Sequence, residues 1–308
     1  MINRELIRIK VVQLVYAYHM NGCKTLNVAE KELLTSLSKA YQLYNILLDL
    51  IVAVTNEERL RYELQALKAQ REGTEYVTPK FAYNRFAVQL EENEQLAEYK
   101  EQNKLSWKDD VEFVRKVCNL IEQSEIYKEY ILSDADSYDA DREVWRKLYK
   151  QIIENNEDLA LLLEDKSIYW NDDKDIVDSF VVKTIKRFDP ANKSQQELLP
   201  EYKDDIDREY AIKLFRTSIL NSDEYQQCLE RYSRNWKLSR MPFMDIVVMQ
   251  TALAELMEFP AIPANVTINE YVELAKAYST PRSASFVNGI LDAMTRALIA
   301  EGKLMKQL

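Results

Sequence analysis

Apolar residues recur at helical spacing along most of the chain. Over residues 3–21, Ile7, Val11, Leu14, Val15 and Tyr18 fall on one face at i, i+3 and i+4 steps, which predicts an amphipathic helix. Asn21-Gly22 supplies its stop. Leu33, Leu37, Tyr41, Tyr44, Leu48 and Val52 predict a second helix over about 28–55, continued in polar form to about 71. Gly73 and Pro79 mark a break. Three more helical patterns lie near 84–102, 107–131 and 141–164, and another over 175–188. The polar stretch 189–205, with two prolines, reads as a linker.

Beyond it the punctuation is sharper. Helices are predicted over 206–221 and 223–235, broken at Asn221-Ser222. Residues 242–259 open with proline and are apolar on most faces, so they predict a central buried helix. Thr267 and Glu270 have capping-box spacing, and Thr280-Pro281 has the form of a helix start. Gly289 stands inside the last helical pattern, among Phe286, Val287, Ile290, Leu291 and Met294. A glycine there costs about 1 kcal/mol relative to alanine. One reading of it is tight packing of the last helix on the first.

Composition agrees with long helices and short connections. The 308 residues include only 4 glycines and 7 prolines, too few for the turns that many strands require. The net charge of −10 is unevenly placed. Residues 61–202 carry the whole acidic excess, while the two flanks together are neutral. The acidic total therefore does not exclude a nucleic-acid surface on the flanks. The 3 cysteines are scattered and form no CxxC pair. They predict neither a disulfide framework nor a zinc site, and a reducing cytoplasm is the expected setting. The apolar run 44–54 is interrupted by Asn45 and Asp49 and is too short to span a bilayer.

Catalytic patterns do not emerge. The single histidine, His19, has no assignable partner, and P-loop, GxGxxG, HExxH and GxSxG patterns are absent. The acidic stretch 133–141 departs from a calcium loop, with Asp139 at the glycine position and Trp145 at the glutamate position.

The C-terminal third carries a more specific pattern. Ile268-Asn269-Glu270, then Glu273-Leu274-Ala275-Lys276, then Phe286-Val287-Asn288-Gly289 with Leu291-Asp292, closely resemble the C-terminal signature of the NusB family. Residues 244–258 resemble that family's buried helix, and residues 214–220 the helix before it. Residues 8–22, with Gln13, resemble its first helix. The resemblance covers about 206–300 well and 4–55 loosely. This sequence departs from the family pattern at Ser285, Arg282 and Ala254.

The resemblance implies an all-α, NusB-like pair of helical bundles with additional helices from a central insertion. The expected organisation is N-terminal helices over 1–60, an acidic helical insertion over 61–202, and a C-terminal bundle over 203–308. It implies no enzymatic activity and no cofactor. It implies an RNA-binding transcription antitermination factor that takes boxA-type RNA together with NusE, a ribosomal protein of the small subunit. The wider setting is the RNA polymerase antitermination complex on ribosomal RNA operons.

The RNA face so implied combines Arg4, Arg8, Lys10, Gln13 and Tyr16 of the first helix with Arg282, Ser285, Phe286, Asn288 and Gly289 of the last. Cations there neutralise phosphates, and Phe286 is either a base-stacking ring or a core aromatic. Glu255 and Glu258 are the expected NusE contacts. The alternative is a helical protein-interaction module of the same fold without RNA binding. The NusB-like RNA cytosine methyltransferases are set aside, because that reading needs a methyl-donor domain downstream of the match.

Overall fold

The computed structural model describes residues 1–22, 25–74, 80–170, 172–233 and 240–306. Cys23, Pro79 and the predicted helix end at 234–235 lie outside them. The helices are α1 (Arg4–Met20), α2 (Leu26–Glu72), α3 (Arg85–Glu91), α4 (Glu94–Asn103), α5 (Val111–Gln123), α6 (Glu125–Leu132) and α7 (Tyr138–Leu148). They continue as α8 (Glu157–Lys166), α9 (Lys174–Arg187), α10 (Asp205–Leu220), α11 (Ser222–Tyr232), α12 (Phe243–Glu258), α13 (Ala264–Tyr278) and α14 (Ser283–Ala300). The protein is all-α. Among the described residues the extended pairing is one isolated parallel bridge between Ile2 and Tyr202.

Three predicted helices of the middle are shorter than their apolar period suggests. Asn93 ends the first, because its side chain accepts from Leu96 N at 3.0 Å and starts α4 afresh. Ser124 does the same for α6 through Tyr127 N, and Asn156 for α8 through Leu159 N. A polar side chain that satisfies first-turn N–H groups restarts a helix even where the hydrophobic stripe runs on.

The chain divides into two compact units, one of Met1 and 38–201, the other of 2–37 and 202–308. The boundary expected at residue 60 falls inside α2, which continues unbroken to Glu72. Part of α2 has the length and apolarity of a membrane span, yet 72% of that window is buried, as in a core helix.

In the first unit, Phe81, Phe86, Trp145, Tyr149 and Phe188 form much of the core. Buried Lys174 donates to Asp178 Oδ2 at 2.6 Å, and Tyr149 OH donates to Asp178 Oδ1 at 2.5 Å. Burial pushes the Asp178 carboxyl up to about 6 against the pull of Lys174. Cys118 lies beside Glu58 and Glu122, with ligand atoms within 4.8 Å of one another. Hydrogen bonds engage this group, from Cys118 Sγ and Tyr127 OH to Glu58 and from Arg61 to Glu122.

The stretch 189–205, expected as a linker, is pinned to this unit as far as residue 201. Gln89 donates to Asp189 O and Lys193 O at 2.9 Å each, and Asn93 donates to Gln196 O at 2.7 Å. Side-chain amides satisfy carbonyls at the ends of the short 3-10 helix Pro190–Gln195 that this segment contains.

In the second unit α12 is the centre. It packs against α1, α10, α11, α13 and α14 and is buried from Val247 to Leu256. A helix apolar on most faces needs neighbours on most faces. α13 begins at Ala264, so Thr267 and Glu270 lie inside it and form no capping box.

Candidate nucleic-acid interface

The expected RNA residues come from two helices of the second unit, α1 and α14. α1 starts at Asn3, whose side chain accepts from Leu6 N at 2.9 Å. It packs on α10 and α12, and that contact takes Arg8 and Lys10 inside with Val11, Val12 and Val15.

Arg8 is 4% exposed. Its Nε and Nη2 donate to Glu255 Oε2 and Oε1 at 2.8 and 3.0 Å, a two-pronged pair. Its Nη1 donates to Glu270 Oε2 at 3.0 Å. Glu255 also accepts from Tyr210 OH, from Thr267 Oγ1 at 2.7 Å and from Tyr271 OH at 3.3 Å. Burial works against an ionised Glu255, but Arg8, Tyr210 and Thr267 outweigh it and hold the carboxyl below its ordinary range. Burial also works against a charged Arg8, but the bond to Glu255 and the charge interactions with Tyr210, Glu255 and Tyr271 together outweigh it.

These contacts correct three expectations. Arg8 is not on a phosphate-binding surface, because its guanidinium is engaged inside the unit. Lys10 is likewise buried, at 3% exposure. Glu255 is no docking residue, since its side chain is fully enclosed. The physical reason is common to all: a charged residue on a helix follows the face that packs whenever a partner waits there. Thr267 and Glu270 belong to this same cluster, which explains their spacing on α13.

The rest of α1 is more open. Arg4 is exposed, 3.5 Å from Asp207 Oδ1 and 5.2 Å above the Tyr210 ring. Gln13 and Tyr16 are half-buried. The Tyr16 ring packs against Phe243 with centroids 5.4 Å apart, and His19 meets Phe243 edge-on at 5.9 Å. Burial lowers the His19 pKa against the opposing charge of Asp223, which disfavours a cation on this ring.

Apart from buried Ser283 and Thr295, α14 presents its polar residues outward or at its margins. Val287, Ile290, Leu291 and Met294 are buried, while Arg282, Ser285, Asn288 and Gly289 are exposed and Phe286 is half-buried. Arg282 occupies the N-cap position, and no described side chain caps the first turn. A Cβ added to Gly289 meets nothing within 4 Å. The tight-packing reading of this glycine therefore fails; it opens onto free space.

α12 joins the two helices. Ser283 Oγ donates to the buried carboxylate of Asp245 at 2.9 Å, fixing the start of α14. Phe243, two residues earlier on α12, holds Tyr16 of α1. Tyr16 and the first turn of α14 thus flank the first turn of α12. Arg240, exposed at the approach to α12, adds a cation that the sequence pattern did not single out. Asp245 was also missed, although a lone carboxylate in the first turn of an apolar helix signals a required partner. Glu258 is half-buried and pairs with Lys213 at 3.1 Å, with Met257 exposed beside it.

Comparison with known proteins bears on the second unit and the end of the first. A model of the NusB family matches residues 179–296. The transcription antitermination protein NusB of Salinibacter ruber is 36% identical over 108 residues, 35% of this chain and 68% of that protein. The transcription antitermination protein NusB of a Thermoanaerobacter strain is 36% identical over 121 residues, 38% of this chain and 86% of that protein. A solved NusB structure from T. maritima is 32% identical, covering 38% of this chain and 72% of that one with a TM-score of 0.29.

Proposed function

The chain belongs to the NusB family, and from that premise we propose that it is an RNA-binding transcription antitermination factor without enzymatic activity. It takes a boxA-type RNA element together with NusE and joins the RNA polymerase antitermination complex on ribosomal RNA operons, in the cytoplasm. The observation that supports the RNA part is the outward face of α14. Arg282 stands at a helix start that no described side chain caps, followed by exposed Ser285, Asn288 and Gly289.

Each feature suits a single strand. The N–H groups and dipole of a helix start favour a phosphate, and Arg282 adds charge there. The Asn288 amide both donates and accepts, as base edges require. Gly289 lets a ribose or base approach the helix backbone closely. Tyr16, Phe286, Gln13 and Arg4 border this face in the proposed complex, with Arg240 as a further cation. Arg8 acts from inside, fixing α1 on α12 and α13. NusE is assigned to the region of Glu258 and exposed Met257.

A titration of labelled boxA-type RNA, with and without NusE, tests this. Arg282→Glu and Asn288→Ala should weaken binding, and affinity should fall steeply with salt. The burial of Arg8 and Lys10 favours one rival, a protein-interaction module without RNA binding. NusE binding with no RNA binding at low salt establishes that rival, and binding of neither rejects both.

A further inference from the structure

Beyond the core part of α2, the helix carries a second apolar pattern that faces solvent. Leu60, Leu64 and Leu67 are 48%, 60% and 52% exposed, whereas Leu33, Leu37, Leu43, Leu47, Leu48 and Leu50 earlier on the same helix are buried. Their steps of four and three are those of heptad positions d, a and d. Glu57 and Arg71 occupy the adjoining a positions and end the seam in charge. Leu60 also borders a groove of about 320 Å³ beside Trp107 and exposed Val111.

The charges beside the leucines select an occupant. In this register Glu63 is at g and Lys68 at the following e, and both are exposed. In a parallel pair g of one helix faces the next e of the other. Two copies of this chain would then place Glu63 against Lys68 twice, by symmetry. In an antiparallel pair e faces e, which sets Arg61 against Lys68. Arg61 is already paired with Glu57 and Glu122 of its own chain, so the reversed arrangement gives Lys68 no carboxylate across the seam, whereas the parallel one does.

We propose that two copies of this chain associate through a parallel, in-register pairing of the last turns of α2. Leu60, Leu64 and Leu67 form the seam, and Glu63 pairs with Lys68 of the other copy. The seam spans little more than one heptad, so the dimer is concentration-dependent rather than obligate. It lies outside the residues matched by the family model, and it stands or falls independently of RNA binding.

Sedimentation of the full chain over about two decades of concentration tests it. The mass should rise from one chain toward two. Leu64→Glu changes an exposed side chain, so helicity by circular dichroism should persist while the dissociation constant rises about tenfold or more. Glu63→Lys and Lys68→Glu should each weaken the dimer about threefold, and the two changes in one chain should restore it. A monomer at every concentration overturns the proposal, as does a dimer indifferent to Leu64→Glu. A Leu64-dependent dimer that the paired charge exchange fails to restore overturns the parallel register.

Discussion

On α1, Arg8 and Lys10 point inward, and Arg8 sits within a shell built on Glu255. On α14, which rests on the same central helix, Ser285, Asn288 and Gly289 are open to solvent and the buried residues from Val287 to Met294 are the apolar Val287, Ile290, Leu291 and Met294. The two helices were expected to contribute jointly to one RNA face. The contrast separates two uses of polar groups: those of α1 largely hold the unit together, while those of α14 remain available to a ligand. Disrupting the first should cost stability, and disrupting the second should cost affinity.

The largest effect is expected from the buried pair. Glu255→Ala leaves the interior guanidinium of Arg8 with Glu270 as its one carboxylate partner, a loss of up to about 3–5 kcal/mol. Arg8→Ala should match it in direction by stranding Glu255. Denaturant unfolding checks both. Measured at low temperature on the fraction that remains folded, RNA affinity should be little changed; a selective loss of affinity with stability intact would restore Arg8 to the binding face.

The pH dependence sharpens the contrast within the buried groups. Glu255 has a folded pKa below its ordinary value. Its contribution is therefore complete above the ordinary carboxylate range and is lost as pH falls through the folded value. Asp178 in the other unit has the opposite sign. Burial pushes it up to about 6 despite Lys174. The fold is then favoured at low pH and loses on the order of 2–3 kcal/mol as pH rises from the ordinary aspartate value through about 6. Urea unfolding across pH 3–8, an interval of about five units chosen to bracket both ranges, should show the second dependence vanish in Asp178→Asn and the first persist.

The legibility of the sequence follows the same division. Apolar period exposed nearly every helix, and the breadth of the apolar surface on 242–259 identified α12 as central, because burial on many sides leaves no polar face. The breaks at Asn93 and Ser124 were hidden, since a cap is a local hydrogen bond and the stripe continues through it. The pinning of 189–201 was hidden because its donors, Gln89 and Asn93, lie about a hundred residues away in sequence. The site divided in like manner. Arg8, Thr267, Glu270 and Glu255 are far apart in the chain, and only the fold shows that they satisfy one another. The α14 face was expected from the family resemblance, whose residues lie close together in one helix, so no distant contact was needed to bring them together.

Smaller effects are expected on that face. Arg282→Glu places a carboxylate where a phosphate is proposed, and should weaken RNA binding about tenfold while changing stability by less than about 0.5 kcal/mol. Asn288→Ala removes one hydrogen-bonding group and should cost about 1 kcal/mol of affinity. Fluorescence titrations at fixed salt check both. An Arg282→Glu protein that binds as tightly as the parent, with the same salt slope, would detach the helix start from the RNA.

The smallest change is the most discriminating. Gly289 lies in the interior of α14 with a helical backbone and open space where a Cβ would stand. Alanine there meets no neighbour and loses less backbone entropy on folding, so Gly289→Ala should stabilise the fold by about 0.5–1 kcal/mol. Internal packing therefore gives no reason for glycine at this position. A ligand does, if it must come closer to the helix than a methyl group allows. The expected outcome is a raised melting temperature together with weaker RNA binding, opposite signs from one substitution. No destabilised variant reproduces that combination, since general loosening lowers both. A raised melting temperature with unaltered affinity would instead show that the strand passes α14 without approaching its backbone at this turn.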